Sequence, residues 1–297
     1  MTYVLSTHNL SKRYGKAHVL QDLSLNISKG SIFGLLGPNG SGKTTTLGIL
    51  LDVIPASSGS FEWFGEAPTH DSRKRIGALL ETPNFLGYLS AEKNLRVAAD
   101  IKGVPYSDID RVLEIVGLSE RKKDAFQIFS LGMKQRLAIA SALLGKPELL
   151  LLDEPTNGLD PQGISEIREL IMKVADMGVT IVLASHMLDE VEKVCTHVAI
   201  IKKGQLLVQG SVDEILGDEH IIRVSSTNMA QLKEALNKIK YVKEVKKELD
   251  LFKVTLADGI SNEEINKLLF DQGVVINHLE SVKKNLEMQF LEITTAS

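Results

Sequence analysis

Disulfides, membrane spans and a surplus of basic residues are all missing from this 297-residue chain. Its single cysteine, Cys195, cannot form an intramolecular disulfide, which points to a reducing, cytoplasmic compartment. No apolar run approaches the roughly 18–20 residues needed to cross a bilayer, so work at a membrane would require a membrane partner. Met1-Thr2-Tyr3-Val4 leads directly into strand-like sequence, and no targeting signal is expected. A net charge of -4 argues against a dedicated nucleic-acid binder, and no nucleic-acid partner is expected. Internal repeats and low-complexity segments are absent. What remains is an ordinary globular composition, 43% hydrophobic and 24% charged, with length for one large domain or two smaller ones.

The most informative stretch is Gly37-Pro38-Asn39-Gly40-Ser41-Gly42-Lys43-Thr44. Its pattern, G-x-x-x-x-G-K-[ST], is that of a nucleoside-triphosphate cradle. The glycines let successive backbone N–H groups point into one concavity suited to phosphate oxygens. Lys43 supplies a point charge for the β- and γ-phosphates, and Thr44 offers a hydroxyl to Mg2+. Ser31–Leu36 reads as a buried strand before the loop. Thr45–Leu51 reads as a helix after it, with its N-terminal dipole facing the phosphates, so Thr45 belongs to the nucleotide-binding set.

A second motif is Leu149-Leu150-Leu151-Leu152-Asp153-Glu154. A solid apolar run of this length fits a parallel strand buried on both faces. It delivers two carboxylates at its C-terminal end. Asp153 is placed to hold Mg2+, and Glu154 is the candidate general base for an attacking water.

Around these motifs the pattern alternates strands and helices. Residues 2–35 read as β-strands and Ser60–Phe64 as another. Helical periodicity dominates 85–145, with Met133, Leu137, Ala140 and Leu144 on one helical face. Asp160-Pro161 opens a helix with an N-cap and an N1 proline. Val179–Ala184 reads as a further buried strand, and Val198–Gln209 as a hairpin turning at Gly204. Past Gly217-Asp218-Glu219 the pattern changes to strand, helix, two strands, helix, strand and a last amphipathic helix over Leu286–Leu291. That order predicts a small ferredoxin-like α+β domain over 218–297. In it, His220 and His278 are isolated, with no metal site expected, and Lys243, Lys246 and Lys247 read as a solvated basic cluster.

Taken together, these residues resemble the ATP-binding subunit of an ABC transporter over roughly residues 2–215. The resemblance implies an α/β fold over 1–217: a P-loop NTPase core with an antiparallel β-subdomain and a helical subdomain at about 82–147. It further implies that Tyr14, in Ser11-Lys12-Arg13-Tyr14-Gly15, stacks on adenine. Phe129-Ser130-Leu131-Gly132-Met133-Lys134-Gln135-Arg136 matches the family signature, and Ser130 and Gly132 are implied to touch the γ-phosphate of ATP held by the other subunit. Gly158-Leu159-Asp160 matches a loop that communicates between subunits, and His186 a histidine on the γ-phosphate. The implied assembly is a homodimer around two ATP and Mg2+, docked on a separate integral membrane permease at the inner face of the cell membrane.

Two departures refine the resemblance. Leu131 and Met133 replace a Gly and a Gln of the usual Leu-Ser-Gly-Gly-Gln signature. Glu81, in Ile76-Gly77-Ala78-Leu79-Leu80-Glu81-Thr82-Pro83, stands where the family normally has a Gln that ligates Mg2+. Such a Glu resembles exporters of the bacitracin and lantibiotic-immunity kind, with antimicrobial-peptide or drug efflux as the implied activity. An importer ATPase with an effector-binding C-terminal domain, or a soluble ATPase acting on DNA or ribosomes, are the competing readings. If Glu81 relays Mg2+–ATP to the permease, Glu81→Ala is expected to uncouple ATPase activity from transport. Intact coupled transport in that variant would remove the role.

Overall fold

A computed structural model describes residues 2–80, 84–217, 220–257, 260–282 and 284–296. Glu81, expected beside Mg2+, lies outside the described residues. The chain forms two compact units, one ending at Val212 and one spanning Asp213–Ala296.

The first unit opens with β1 (Tyr3–Tyr14), β2 (Ala17–Leu23), β3 (Asn26–Ser28) and β4 (Ile32–Leu36). Next come α1 (Lys43–Leu50), β5 (Ser58–Trp63), α2 (His70–Lys74) and β6 (Ile76–Leu79). The helical segment is α3 (Ala91–Lys102), α4 (Ser107–Ile115) and α5 (Leu131–Leu143). Then follow β7 (Leu149–Asp153), α6 (Pro161–Asp176), β8 (Thr180–Ser185), α7 (Leu188–Val194), β9 (His197–Lys202) and β10 (Gln205–Ser211), after which the short α8 (Val212–Leu216) starts on the last residue of this unit and runs into the second.

Two sheets result. An antiparallel sheet runs β2-β1-β3, with β5 also on β1. A six-stranded sheet runs β10-β9-β4-β8-β7-β6, parallel except for β10. Every residue of β4, β7 and β8 is buried, as the apolar runs predict for strands covered on both faces. Helix α1 touches β7 and β8 on one side and β2 on the other. One hydrophobic core therefore joins both sheets, from Leu5, Leu23 and Trp63 to Leu35, Leu47 and Leu151.

The predicted helix starts hold where a side chain can cap. Asp160 accepts from the Gly163 amide at 2.9 Å, and Ser130 from the Met133 amide at 3.2 Å. Helix α5 differs from its expected single apolar face. Gln135, Leu137, Ala138, Ile139, Ala140, Ala142 and Leu143 are all buried, so it is enclosed between α3, α4, α6 and β6.

The end of α5 is held by a cation. The Lys102 ammonium donates to the carbonyls of Ser141, Ala142 and Leu144 at 2.8, 3.1 and 3.4 Å. These carbonyls belong to the end of the helix, where the intrahelical ladder runs out, and only that of Ser141 also accepts a backbone amide, from Leu144 at 3.4 Å. Burial lowers the Lys102 ammonium from 10.5 to about 8, against the pull of Asp108.

The second unit comprises β11 (His220–Ser226), α9 (Met229–Lys238), β12 (Val242–Glu248), β13 (Leu251–Leu256), α10 (Asn262–Asp271), β14 (Ile276–Val282) and α11 (Leu286–Ala296). Its antiparallel sheet has the order β12-β13-β11-β14, which with the βαββαβ element order makes a ferredoxin-like α+β fold. Helices α9 and α10 cover one face around Ile222, Val224, Leu236, Val254 and Leu269. Strand β14 begins at Ile276 rather than at Val274, which is buried in that core ahead of the strand. No helix among the described residues is long and apolar enough to cross a membrane.

Replacing Lys102 by Met should remove the ammonium donor shared by three carbonyls and destabilise the chain by about 1–3 kcal/mol, read by chemical denaturation. The unfolded chain binds more protons at Lys102 between pH 8 and 10.5. Wild-type stability relative to the variant should therefore rise with pH across that window. A flat difference would show that the amine is not desolvated.

Candidate functional site

The site is assembled by strand order. Strand β8 lies between β4 and β7, parallel to both, with Leu36 beside Ser185 and Asp153 beside Ala184. The ends of the three strands therefore meet at one edge of the sheet. From β4 emerges the loop 37–42, from β7 Asp153 and Glu154, and from β8 His186.

The loop turns into α1 through Gly42, whose φ of 110° disfavours any side chain. Helix α1 begins at Lys43, two residues before its expected start, so the amides of its first turn face the cavity. That cavity, about 200 Å³, is lined by Asn39, Gly40, Ser41, Gly42, Lys43, Thr44 and Thr45, together with Glu154 and Val19. Gly37 and Pro38 contribute their carbonyls, which accept from the Lys43 ammonium at 2.7 and 3.4 Å.

The Lys43 ammonium also lies 3.7 Å from Glu154 Oε1, with the lysine 6% and the glutamate 21% exposed. His186 Nδ1 sits 2.9 Å from Glu154 Oε2. To share that contact with an ionised carboxylate, Nδ1 must carry the proton. Glu154 is thus gripped from both sides, and its backbone is constrained as well. Its φ is 47°, left-handed for a residue with a Cβ, and its amide donates to the Ala184 carbonyl at 2.9 Å. Such a conformation persists only where neighbours over-determine it. Asp153, at the last position of β7, is 2% exposed.

The remaining sequence-predicted residues stand apart from the cavity lining. Tyr14 is half-exposed at the end of β1, its ring centroid 4.9 Å from the Lys12 ammonium. Ser130 and Asp160 each cap a helix. The two caps lie in loops that meet: a Cβ at Gly158 would stand 3.3 Å from Leu131, and one at Gly132 would stand 3.9 Å from Leu159. Leu131 itself is 45% exposed.

Two residues of the site were not predicted. Val19, on β2, forms part of the cavity wall; only the alternation of its strand hinted that it had an inner and an outer face. Gly204, read as a hairpin turn, donates its amide to the Ser41 carbonyl at 2.9 Å and accepts from the Gln21 amide at 2.9 Å. Its φ is 79°, and a Cβ there would collide with the Val19 carbonyl. The β9–β10 turn thus buttresses the phosphate loop from behind.

The donor set fits a nucleoside triphosphate. It offers a helix N-terminus, a buried ammonium, and Ser41, whose buried Oγ has no hydrogen-bond partner among the described residues. For Mg2+, Thr44 and Asp153 are hard oxygen donors. No group of three or more His, Cys, Asp or Glu side chains forms a metal cage among the described residues.

Comparison with known proteins agrees with this chemistry. Residues 20–157 match the family described as ABC transporter. The bacitracin transport ATP-binding protein BcrA of Enterococcus faecalis is 35% identical over 99% of this chain and 97% of its own length. The lantibiotic transport ATP-binding protein SrtF of Streptococcus pyogenes is 41% identical over 71% of this chain and 92% of its own. Among solved structures, cbiO1 from Clostridium perfringens, part of an ABC transporter complex, aligns with a TM-score of 0.67 at 29% identity. That alignment covers 73% of this chain and 92% of that one. With a phosphate loop, a strand-end carboxylate pair and a relative matched along nearly its whole length, the chain belongs to the ABC transporter ATP-binding family, whose members hydrolyse ATP.

Proposed function

We propose that this chain is the ATP-hydrolysing subunit of an exporter, driving efflux of an antimicrobial peptide or drug through a separate membrane permease. The observation that carries the chemistry is Glu154 on the wall of the phosphate cavity, held between Lys43 and His186. The direction of transport rests on the full-length similarity to a bacitracin transport protein and on the lantibiotic transport relative. Choice of cargo resides in the permease, and this chain works beside it as a peripheral subunit.

Thr44 and Asp153 would hold Mg2+, to which the resemblance adds Glu81, and the ion would supply charge neutralisation to the triphosphate. Lys43 exchanges its contact with Glu154 for phosphate oxygens, which leaves Glu154 able to orient a water and take its proton. His186 holds the carboxylate in place through Nδ1 and presents its other edge toward the γ-phosphate. Tyr14 stacks on the adenine.

Ser130 and Gly132 do not line this chain's own phosphate cavity. They sit at the N-terminus of α5, whose dipole and amides suit an anion. The reading that uses both halves is a head-to-tail homodimer, with each signature closing on the ATP held by the other copy. The meeting of loop 158–160 with Leu131 then couples the two halves.

Glu154→Gln keeps the shape of the site and removes the base. The variant should bind ATP and accumulate as a closed dimer on size exclusion with light scattering. Phosphate release should fall by about 100-fold or more. Turnover near the wild-type rate would remove Glu154 from this role.

A further inference from the structure

The second unit carries charge on the sheet face opposite its core. Side-chain alternation on β13 sends Phe252, Val254 and Leu256 toward α9 and α10, and leaves Lys253 and Thr255 on the other face. The antiparallel registers place Lys246 of β12 on one side of Lys253 and Arg223 of β11 on the other. Three cations thus stand in one row across three neighbouring strands. Like charges directly opposite one another destabilise a sheet, so something must offset this row.

Carboxylates within the unit contribute to that offset. Glu248 pairs with Arg223 at 3.2 Å and Glu244 with Lys246 at 3.0 Å. Glu292 of α11 serves two ammoniums, Lys253 at 3.6 Å and Lys284 at 4.0 Å. The two lysine side chains are only 18% and 12% exposed, whereas Glu292 is 49% exposed and screened by solvent.

Lys246, Lys253, Lys284, Glu244 and Glu292 border a cavity of about 300 Å³. Four lysines (Lys243, Lys246, Lys253 and Lys284) face two glutamates (Glu244 and Glu292), a surplus of two positive charges among the lining residues. The hydroxyl of Thr255 adds a neutral donor, and buried Ile221 an apolar contact. The volume is at the lower end of the range for small-molecule sites. Ammonium groups are point charges that bind phosphate without needing the planar geometry of a guanidinium.

We propose that this cavity binds a phosphate-bearing anion, carried either by a small solute or by a lipid headgroup. The site lies wholly within Asp213–Ala296 and does not rest on the transport reading. Lys243, Lys246 and Lys247 are all exposed, as the solvated cluster expected from sequence. Lys243 and Lys246 in addition border the cavity with Lys253 and Lys284, which are distant in the chain.

The test uses the full chain with saturating ADP, which occupies the phosphate loop, and with Mg2+ matched in all solutions. Inorganic pyrophosphate is titrated by calorimetry. Flotation with phosphatidylcholine vesicles, with and without phosphatidic acid, is run in parallel. Wild type should bind one of these probes saturably, and more weakly as salt rises. Pyrophosphate binding identifies a solute site; binding to phosphatidic acid vesicles alone identifies a headgroup site.

The K253Q/K284Q double variant should lose at least about 10-fold in affinity. E292Q, which removes the competing carboxylate, should gain severalfold, and this opposite change tests the site even if the double variant folds poorly. Absence of saturable binding of both probes to wild type would overturn the proposal. So would an affinity unchanged in E292Q.

Discussion

The parallel pairing of β8 between β4 and β7 is the constraint on which the site depends. It brings residues 36, 153 and 185 to one edge of the sheet although they are far apart in sequence. The pairing is enforced by burial: each of the three strands is covered on both faces, so a slip in register would expose apolar side chains or bury Asp153 deeper. The phosphate loop, the carboxylate pair and the histidine thus converge as a consequence of core packing.

On that edge the electrostatics are already arranged for a triphosphate. Lys43 is nearly buried, held by the Gly37 and Pro38 carbonyls and facing Glu154. The glutamate, in a left-handed backbone conformation and fixed through its amide to Ala184, cannot drift far when its lysine partner turns to phosphate. Preorganised charge of this kind costs little reorganisation at the moment of reaction. Gly204 belongs to the same arrangement, because its turn holds the Ser41 carbonyl and keeps the loop open toward the cavity.

Much of this was legible in the sequence, for a physical reason. A phosphate cradle needs particular residues in one contiguous stretch, so Gly37–Thr44 announces itself. Buried parallel strands need solid apolar runs, so β7 and β8 were found within a residue or so. The cap at Asp160 is local and was equally readable. What escaped notice depends on contacts between distant segments. Val19 and Gly204 reach the phosphate loop only through tertiary packing. Helix α5 was expected to bury one face and is enclosed on nearly every side, because three helices and a strand surround it. The cation row Lys246–Lys253–Arg223 exists only in the register of three strands, which periodicity alone does not contain.

The central claim is that one copy supplies half of each ATP site and a second copy completes it with Ser130 and Gly132. Initial ATP turnover of the purified chain, measured against chain concentration below dimer saturation, tests this most directly. The account predicts that turnover per molecule rises with concentration, giving a total rate near second order. A rate per molecule that is constant across that range would mean that each chain hydrolyses ATP alone, and would contradict the account.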